Sequence, residues 1–525
     1  METRLAKVFS SGVNGIESYI LEIEVCVSRG SLPYMVMVGL PDQAVKESRD
    51  RVKAAMVNSQ YRFPYDHVTI NLAPAHLKKE GPAFDLPMAL GLLLASGQIG
   101  SPKLTKYLIV GELSLDGRVR PVKGCLSMAL KARGEGYRGM ILPAENAPEA
   151  AVVEGLEVIP VKSLAEAVGF LSGQLPILPT QLNLQEVFNN SVHYELDFAE
   201  VRGQEHAKRA LLVAAAGGHN VLMIGPPGGG KTMLAQRFPS LLPQLHLQEA
   251  LETTKIYSVC GLLNQSALGG SVTTTSGACL VATRPFRAPH HSISEAGLVG
   301  GGTFPKPGEI SLAHHGVLFL DELPEFNRNV LESLRQPLET GEITISRASS
   351  SATYPARIML LAAMNPCPCG YYTHPKKRCR CTPHQIQNYL SKVSGPLLDR
   401  IDIHVEVPAL EHRDIAHSPA GESSAQLREK VSGARATQME RLQGHGLTAN
   451  AQMSGRLIKK FCTLDTQAED LLQKAMMEMG LSARGYTKVL KLSRTIADLE
   501  GSPDIRTEHV SEAVQYRNLD RTFWK

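Results

Sequence analysis

The sequence predicts an α/β protein in three parts: an N-terminal mixed α/β domain, a parallel sheet with helices on both faces, and a C-terminal helical lid. Three observations predict it. Short alternating strands and apolar helix candidates fill residues 1–172. Near-continuous apolar strands alternate with longer helical or loop segments over about 195–410, the pattern of strands covered on both faces. Beyond about 411 the remaining periodicity is helical. Hydrophobic residues are 43% and charged residues 20%, enough apolar material for several cores, which excludes wholesale disorder.

In the first part, Leu21 to Val27 alternates at period two, and His67 to Leu72 and Tyr107 to Gly111 read as further strands. Leu86 to Ala95 and Cys125 to Arg133 are helix candidates. Residues 173–194, with Pro176, Pro179 and a polar run from Gln181 to Asn190, read as a linker. In the second part, Asn220 to Ile224, Gly316 to Leu320 and Arg357 to Ala363 read as buried strands. Residues 411–424 read as a loop that opens the C-terminal part, 411–525. There, Thr466 and Glu469 form a capping box ahead of Leu471, Leu472, Ala475, Met476 and Met479. Val489 to Leu499 forms a second helix, stopped by Gly501 and Pro503, and Thr507 caps a third.

Charge and cysteine usage narrow the partners. With 55 basic and 51 acidic residues the net charge is +4, so the chain is no global polycation, and any nucleic-acid contact must come from local patches. No run of about 18 apolar residues predicts a membrane span. The start of the chain has no long apolar core before Glu22 and Glu24, so no secretory signal is predicted and the expected compartment is the cytoplasm. Four of the nine cysteines lie between 367 and 381, which points to metal rather than to a disulfide scaffold.

Gly225-Pro226-Pro227-Gly228-Gly229-Gly230-Lys231-Thr232 fits G-x-x-x-x-G-K-[ST] between a strand and a helix start. Its glycines let backbone N–H groups face phosphates; Lys231 supplies a point charge, and the Thr232 hydroxyl can ligate Mg²⁺. The second motif, Val317 to Glu322, ends a buried strand with two carboxylates. Asp321 would complete the Mg²⁺ shell, and Glu322 is placed to orient and deprotonate water. Together the two motifs predict a nucleoside triphosphatase.

These elements resemble the AAA+ ATPases, most closely the magnesium-chelatase-like branch that also holds replicative MCM helicases. The resemblance implies further roles. Asn365 stands at the first sensor position, Arg400 at that of an arginine finger reaching a neighbouring subunit's γ-phosphate, and Arg484 at that of the second sensor. A finger in trans implies a ring, most simply a homo-hexamer.

Two stretches exceed what such a core needs. Ser271 to His315 carries Arg284, Arg287, His290 and His291, with no acid between Ser271 and Ser294. Ile343 to Thr353 reads as a hairpin with Arg347 near its tip, where Ser349 to Ser351 can also bond phosphate. In the resembled branch such inserts line the ring's pore, although both also fit solvated loops. Cys367, Cys369, Cys379 and Cys381 suit a tetrahedral Zn²⁺. His374 or His384 can replace one ligand, and unliganded thiols or an iron–sulfur cluster also fit this spacing. Lys376, Lys377, Arg378 and Arg380 make this module basic, and with Arg284, Arg287 and Arg347 they are the candidate DNA contacts.

In the N-terminal part, Lys79 to Pro87, Gly111 to Val122 and Met140 to Asn146 resemble the Lon protease domain. Lon works through a Ser–Lys dyad. Here Ala83 stands at the serine position and Leu126 at that of the lysine, so the resemblance implies a Lon-like fold without a nucleophile. Lon-like domain, chelatase-like AAA+ module with a four-cysteine insert, and helical lid together look like the ComM/YifB family. That resemblance implies an ATP- and Mg²⁺-dependent hexameric helicase or translocase on single-stranded, forked or junction DNA, promoting branch migration in natural transformation beside recombination proteins. Rival expectations are the motor of a metal-chelatase complex, an ATP-dependent protease and a protein-remodelling ring.

Overall fold

In the computed structural model the described residues are 4–28, 34–100, 103–190, 194–263, 279–302, 305–347, 350–372, 374, 376–409 and 421–519. They form two units, one of residues 4–190 with 247–263 and 279–282, the other of 194–246 with 283–519.

The first unit holds two sheets. Arg4–Asn14 pairs antiparallel with Glu17–Ser28, which pairs antiparallel with His67–Ala73, and Tyr34–Val38 joins that strand in parallel at the edge. Tyr107–Ile109, Gly139–Pro143 and Glu157–Val161 form a second, parallel sheet. Alternate residues of Glu17–Ser28 (Leu21, Ile23, Val25) are fully buried, as their period of two requires. Helix Asp85–Ala95 is apolar almost all round and is accordingly buried almost all round.

Helix Leu247–Cys260 also packs in this unit, although it follows the phosphate-loop region in sequence. Gly124 N–H donates to the Ser258 carbonyl at 3.2 Å, and the Ser258 hydroxyl is bonded to the buried Glu149 carboxylate. Residues 173–194 are not wholly extended: Leu184–Asn190 is helical, with the Asn183 side chain accepting the Glu186 N–H. The polar run hides that cap.

The second unit is built on a five-stranded, all-parallel sheet in the order Phe286–Arg287, Val317–Leu320, Met359–Met364, Val221–Ile224, Ile403–Glu406. One apolar core runs from this sheet (Val221, Phe319, Leu361) into the C-terminal helices (Leu472, Val489, Ile496). Those helices are Ser424–Arg441, Gly455–Phe461, Thr466–Met479, Ala483–Leu499 and Thr507–Gln515. The expected capping box is corrected here. Asp465 is the N-cap, accepting the Ala468 N–H at 2.7 Å, and Thr466 is the first helical residue. A carboxylate at this position also meets the positive helix end. Thr507 likewise opens its helix rather than capping it. The helix expected from Val489 starts at Ala483, because Ser482 caps it through the Gly485 N–H at 3.2 Å. Among the described residues no helix is long and apolar enough to cross a membrane.

Candidate active site and metal centre

The phosphate loop leaves the central strand Val221–Ile224 and enters helix Lys231–Arg237. Gly225 has no room for a side chain, since a Cβ would lie 1.9 Å from the Val407 carbonyl oxygen. Gly230 takes φ +89°, the left-handed conformation that favours glycine, to turn the loop into the helix. Lys231 is almost fully buried. Its Nζ donates to the carbonyls of Gly225 (2.7 Å) and Pro226 (2.9 Å) and to Asn365 Oδ1 (3.2 Å). Burial pulls its pKa below the usual lysine value, against the opposing pull of Asp321 and Glu322.

The Thr232 hydroxyl donates to Asp321 Oδ2 at 2.6 Å, and Asp321 Oδ1 accepts the Glu322 N–H at 2.9 Å. Two hard oxygens thus converge beside the loop, a donor set suited to Mg²⁺. Glu322 sits in the left-handed region (φ 53°), costing roughly 1–3 kcal/mol, and its carboxylate is more than half exposed. His291 Nδ1 lies 3.4 Å from Glu322 Oε2. Thr232, Asp321, Glu322, His291, Phe286 and Phe319 line a cleft of about 330 Å³. His291 was legible only as part of a basic insert; its place beside Glu322 follows from the edge strand Phe286–Arg287, which delivers it. Gln204 is a second residue the motifs do not reveal. Its Nε2 reaches the carbonyls of Gly229 (3.1 Å) and Pro408 (2.7 Å), bracing the loop from outside.

Lys231, Thr232, Asp321, Glu322 and Asn365 therefore come together. Two other expected residues stand elsewhere in the unit. The Arg400 guanidinium is bonded to Glu339 and donates to the Pro396 carbonyl at 2.6 Å. Arg484 is an exposed residue in the first turn of helix Ala483–Leu499.

Four cysteine sulfurs converge after the Asn365 strand end. Those of Cys367, Cys369, Cys379 and Cys381 all lie within 4.8 Å of one another, with Sγ–Sγ distances of 3.4, 3.5 and 3.7 Å among the first three. Tetrahedral Zn–S bonds of about 2.3 Å require sulfurs about 3.8 Å apart, so the donor set fits zinc. The N–H groups of Arg380 and Tyr371 draw the Cys369 thiol down to about 6, while burial pushes that of Cys367 up to about 12. Neither histidine is needed as a ligand. His374 Nδ1 accepts the Lys376 and Lys377 N–H groups at 3.0 Å, and His384 Nε2 is bonded to Asn388 at 3.1 Å.

Lys376, Lys377, Arg378 and Arg380 are exposed on this module. The other basic candidates divide. Arg284 donates to the carbonyls of Pro243 (2.7 Å) and His315 (2.8 Å), and Arg287 makes a bidentate pair with Glu309 at 2.6 and 2.7 Å. Both guanidiniums are thus spent within the fold: backbone carbonyls take Arg284, and Glu309, beyond the acid-free run, folds back onto Arg287. The hairpin expected around Ile343 is present as Glu342–Arg347 paired with Ser350–Pro355. The Arg347 side chain and Ser349 lie outside the described residues, as do residues 271–278 of the first insert.

In the first unit, Ala83 lies in a short turn, its carbonyl accepting the Gly111 N–H at 2.9 Å, and Leu126 is fully buried. No hydroxyl or amine side chain occupies either position of the protease dyad.

Three family models match the chain: "Magnesium chelatase, subunit ChlI" over residues 197–415, "Subunit ChlI of Mg-chelatase" over 23–146, and "Magnesium chelatase, subunit ChlI C-terminal" over 421–517. Competence protein ComM of Haemophilus influenzae is 46% identical over 99% of both chains, and YifB of Salmonella typhimurium 43% identical over 98% of both. The chain belongs to the ComM/YifB family of magnesium-chelatase-like AAA+ ATPases. A Lon protease of Lachnoclostridium phytofermentans is 29% identical over 164 residues, 28% of this chain and 19% of that protein. The ComM/YifB chain thus joins a Lon-like α/β fold to the phosphate-loop module.

Proposed function

We propose that this chain is an ATP-driven DNA translocase that works as a homo-hexameric ring and promotes branch migration of recombination intermediates during natural transformation. The observation that carries this reading is the full-length likeness to a competence protein. The exposed basic module beside the nucleotide site supports it.

Lys231 binds the outer phosphates of ATP once its Nζ leaves the Gly225 and Pro226 carbonyls. Thr232 and Asp321 would hold Mg²⁺, which would neutralise charge on the transferred phosphoryl group. Glu322 orients and deprotonates the attacking water, with Asn365 fixing its position. Arg400 leaves Glu339 to reach the neighbouring subunit's nucleotide, and Arg484 closes the lid. Cys367, Cys369, Cys379 and Cys381 would hold a structural Zn²⁺, which would stiffen the loop that carries Lys376, Lys377, Arg378 and Arg380. Those four and Arg347 contact DNA phosphates.

Steady-state ATP hydrolysis with single-stranded, forked and four-way-junction DNA tests the reading, with Lys231→Ala as the blank. DNA stimulation that disappears at high salt is expected. Hydrolysis indifferent to every DNA would move the function to a chelatase-type or protein-remodelling motor. Metal analysis should find about one zinc per chain, lost in Cys379→Ser; a native protein free of zinc would end the metal assignment.

A further inference from the structure

A half-buried polar hub lies beneath the Arg400 loop, and none of the motifs accounts for it. Its centre is Asn220, the residue before the phosphate-loop strand. Asn220 Nδ2 donates to the Arg400 carbonyl at 3.1 Å, and its Oδ1 accepts the Leu360 N–H of the sensor strand at 2.8 Å. Its backbone N–H donates to Asp402 Oδ2 at 3.1 Å, and its carbonyl accepts from Asp402 and Ile403 at 3.0 Å. One residue, through its side chain and its backbone, thus ties three sheet strands to the loop bearing Arg400.

The lid reaches the same loop. Lys488, on helix Ala483–Leu499, places Nζ 3.1 Å from Asp402 Oδ1 and donates to the Ile401 carbonyl at 3.0 Å. Arg517 donates to that carbonyl at 2.6 Å. His219 Nδ1 lies 3.5 Å from Asp402 Oδ2, and its Nε2 is bonded to Thr495 of the lid helix at 2.9 Å. The Lys488 and Asp402 side chains are each 13% exposed, so solvent screens the pair little. Lys488 also lies one turn from Arg484, on the same helix face.

We infer that Lys488 is a positioning residue for ATP hydrolysis: through Asp402 and the Ile401 carbonyl it sets where Arg400 is presented to the neighbouring subunit, so that lid position and finger position move together. This rests on the reading of Arg400 as a finger acting in trans. Lys488 touches no nucleotide in this scheme. Its removal leaves the phosphate loop of its own subunit intact and impairs the next subunit's site.

The test is complementation in mixed rings of the full-length protein. Lys488→Met should bind a fluorescent ATP analogue with unchanged affinity while its kcat falls at least about tenfold, a fraction of the roughly 10³–10⁵ that a finger supplies. Lys488→Arg should recover much of the rate. Mixed with Lys231→Ala subunits, which cannot hydrolyse ATP but carry an intact finger loop, Lys488→Met should regain activity above the sum of the separate proteins. Asp402→Asn, nearly isosteric, should behave alike and guards against a Lys488→Met ring that does not assemble. Arg400→Ala mixed with Lys231→Ala is the control. If Arg400→Ala complements and neither hub variant does, the hub acts within its own subunit and the inference is overturned. If Arg400→Ala itself fails to complement, the trans finger falls and the inference falls with it.

Discussion

The two units of this protein treat their polar groups in opposite ways. In the Lon-like unit the buried polar side chains, Ser10 apart, are largely consumed by the fold. Arg51 reaches Asp85 at 2.8 Å, Lys79 Nζ donates to backbone carbonyls, and Glu149 accepts the Leu126 N–H at 2.9 Å. Ala83 and Leu126, the two positions where a protease would carry its chemistry, are apolar. In the ATPase unit, Thr232, Asp321 and Glu322 converge on a cleft and bond to one another, with Lys231, Asn365 and His291 alongside. The contrast teaches that a fold survives the loss of its chemistry when its remaining polar groups are paired. Changes in the first unit should register as stability, and changes in the second as rate.

The largest expected effect is in the second unit. Glu322→Gln removes the proposed base and should lower kcat by about 10²–10⁴ while ATP still binds. Turnover of Glu322→Gln near the native rate would take Glu322 out of its role and break the comparison from that side. Next comes an attempt to break it from the other side. Restoring the dyad with Ala83→Ser and Leu126→Lys should yield no casein cleavage and should cost the unit at least about 1–3 kcal/mol, because a lysine must enter a fully buried apolar position. Proteolysis by this double variant would show that only two side chains separate the two units.

The phosphate loop, the Asp-Glu strand end, the four-cysteine cluster and the hairpin were legible, because each is a local pattern whose spacing carries its geometry. Groups whose partners lie far away in sequence were not. Nothing near Arg287 announces Glu309, and nothing in the charge pattern reveals that Arg284 turns to the Pro243 and His315 carbonyls. Asn220 looks like an ordinary residue before a strand, yet it gathers Leu360, Arg400 and Asp402. Helix Leu247–Cys260 carries no mark that it belongs with the Lon-like unit, because its anchor is Glu149, about a hundred residues earlier. At shorter range, the Thr466–Glu469 pair concealed the better cap, Asp465, one residue upstream.

The smallest effect sharpens the comparison most, because it isolates a single group. Burial raises the pKa of Glu149, and the hydrogen bonds from Ser258, Leu126 and Asn146 offset this only in part. The native state then holds this proton more tightly than the unfolded chain. Its stabilising contribution is full below the ordinary glutamate value and is lost as pH rises through the raised pKa, with a slope of at most about 1.4 kcal/mol per pH unit. Glu149→Gln cannot titrate and keeps an oxygen for the Leu126 N–H. It should therefore flatten that slope, read as amide-exchange protection of helix Cys125–Gly134 as pH rises above the ordinary glutamate value. Asp85, also raised by burial, keeps a residual slope of the same sign in the variant. The rate of ATP hydrolysis should not follow the substitution. If the rate changed while the exchange profile stayed the same, Glu149 would belong with the working polar groups of the second unit rather than with the structural ones of the first.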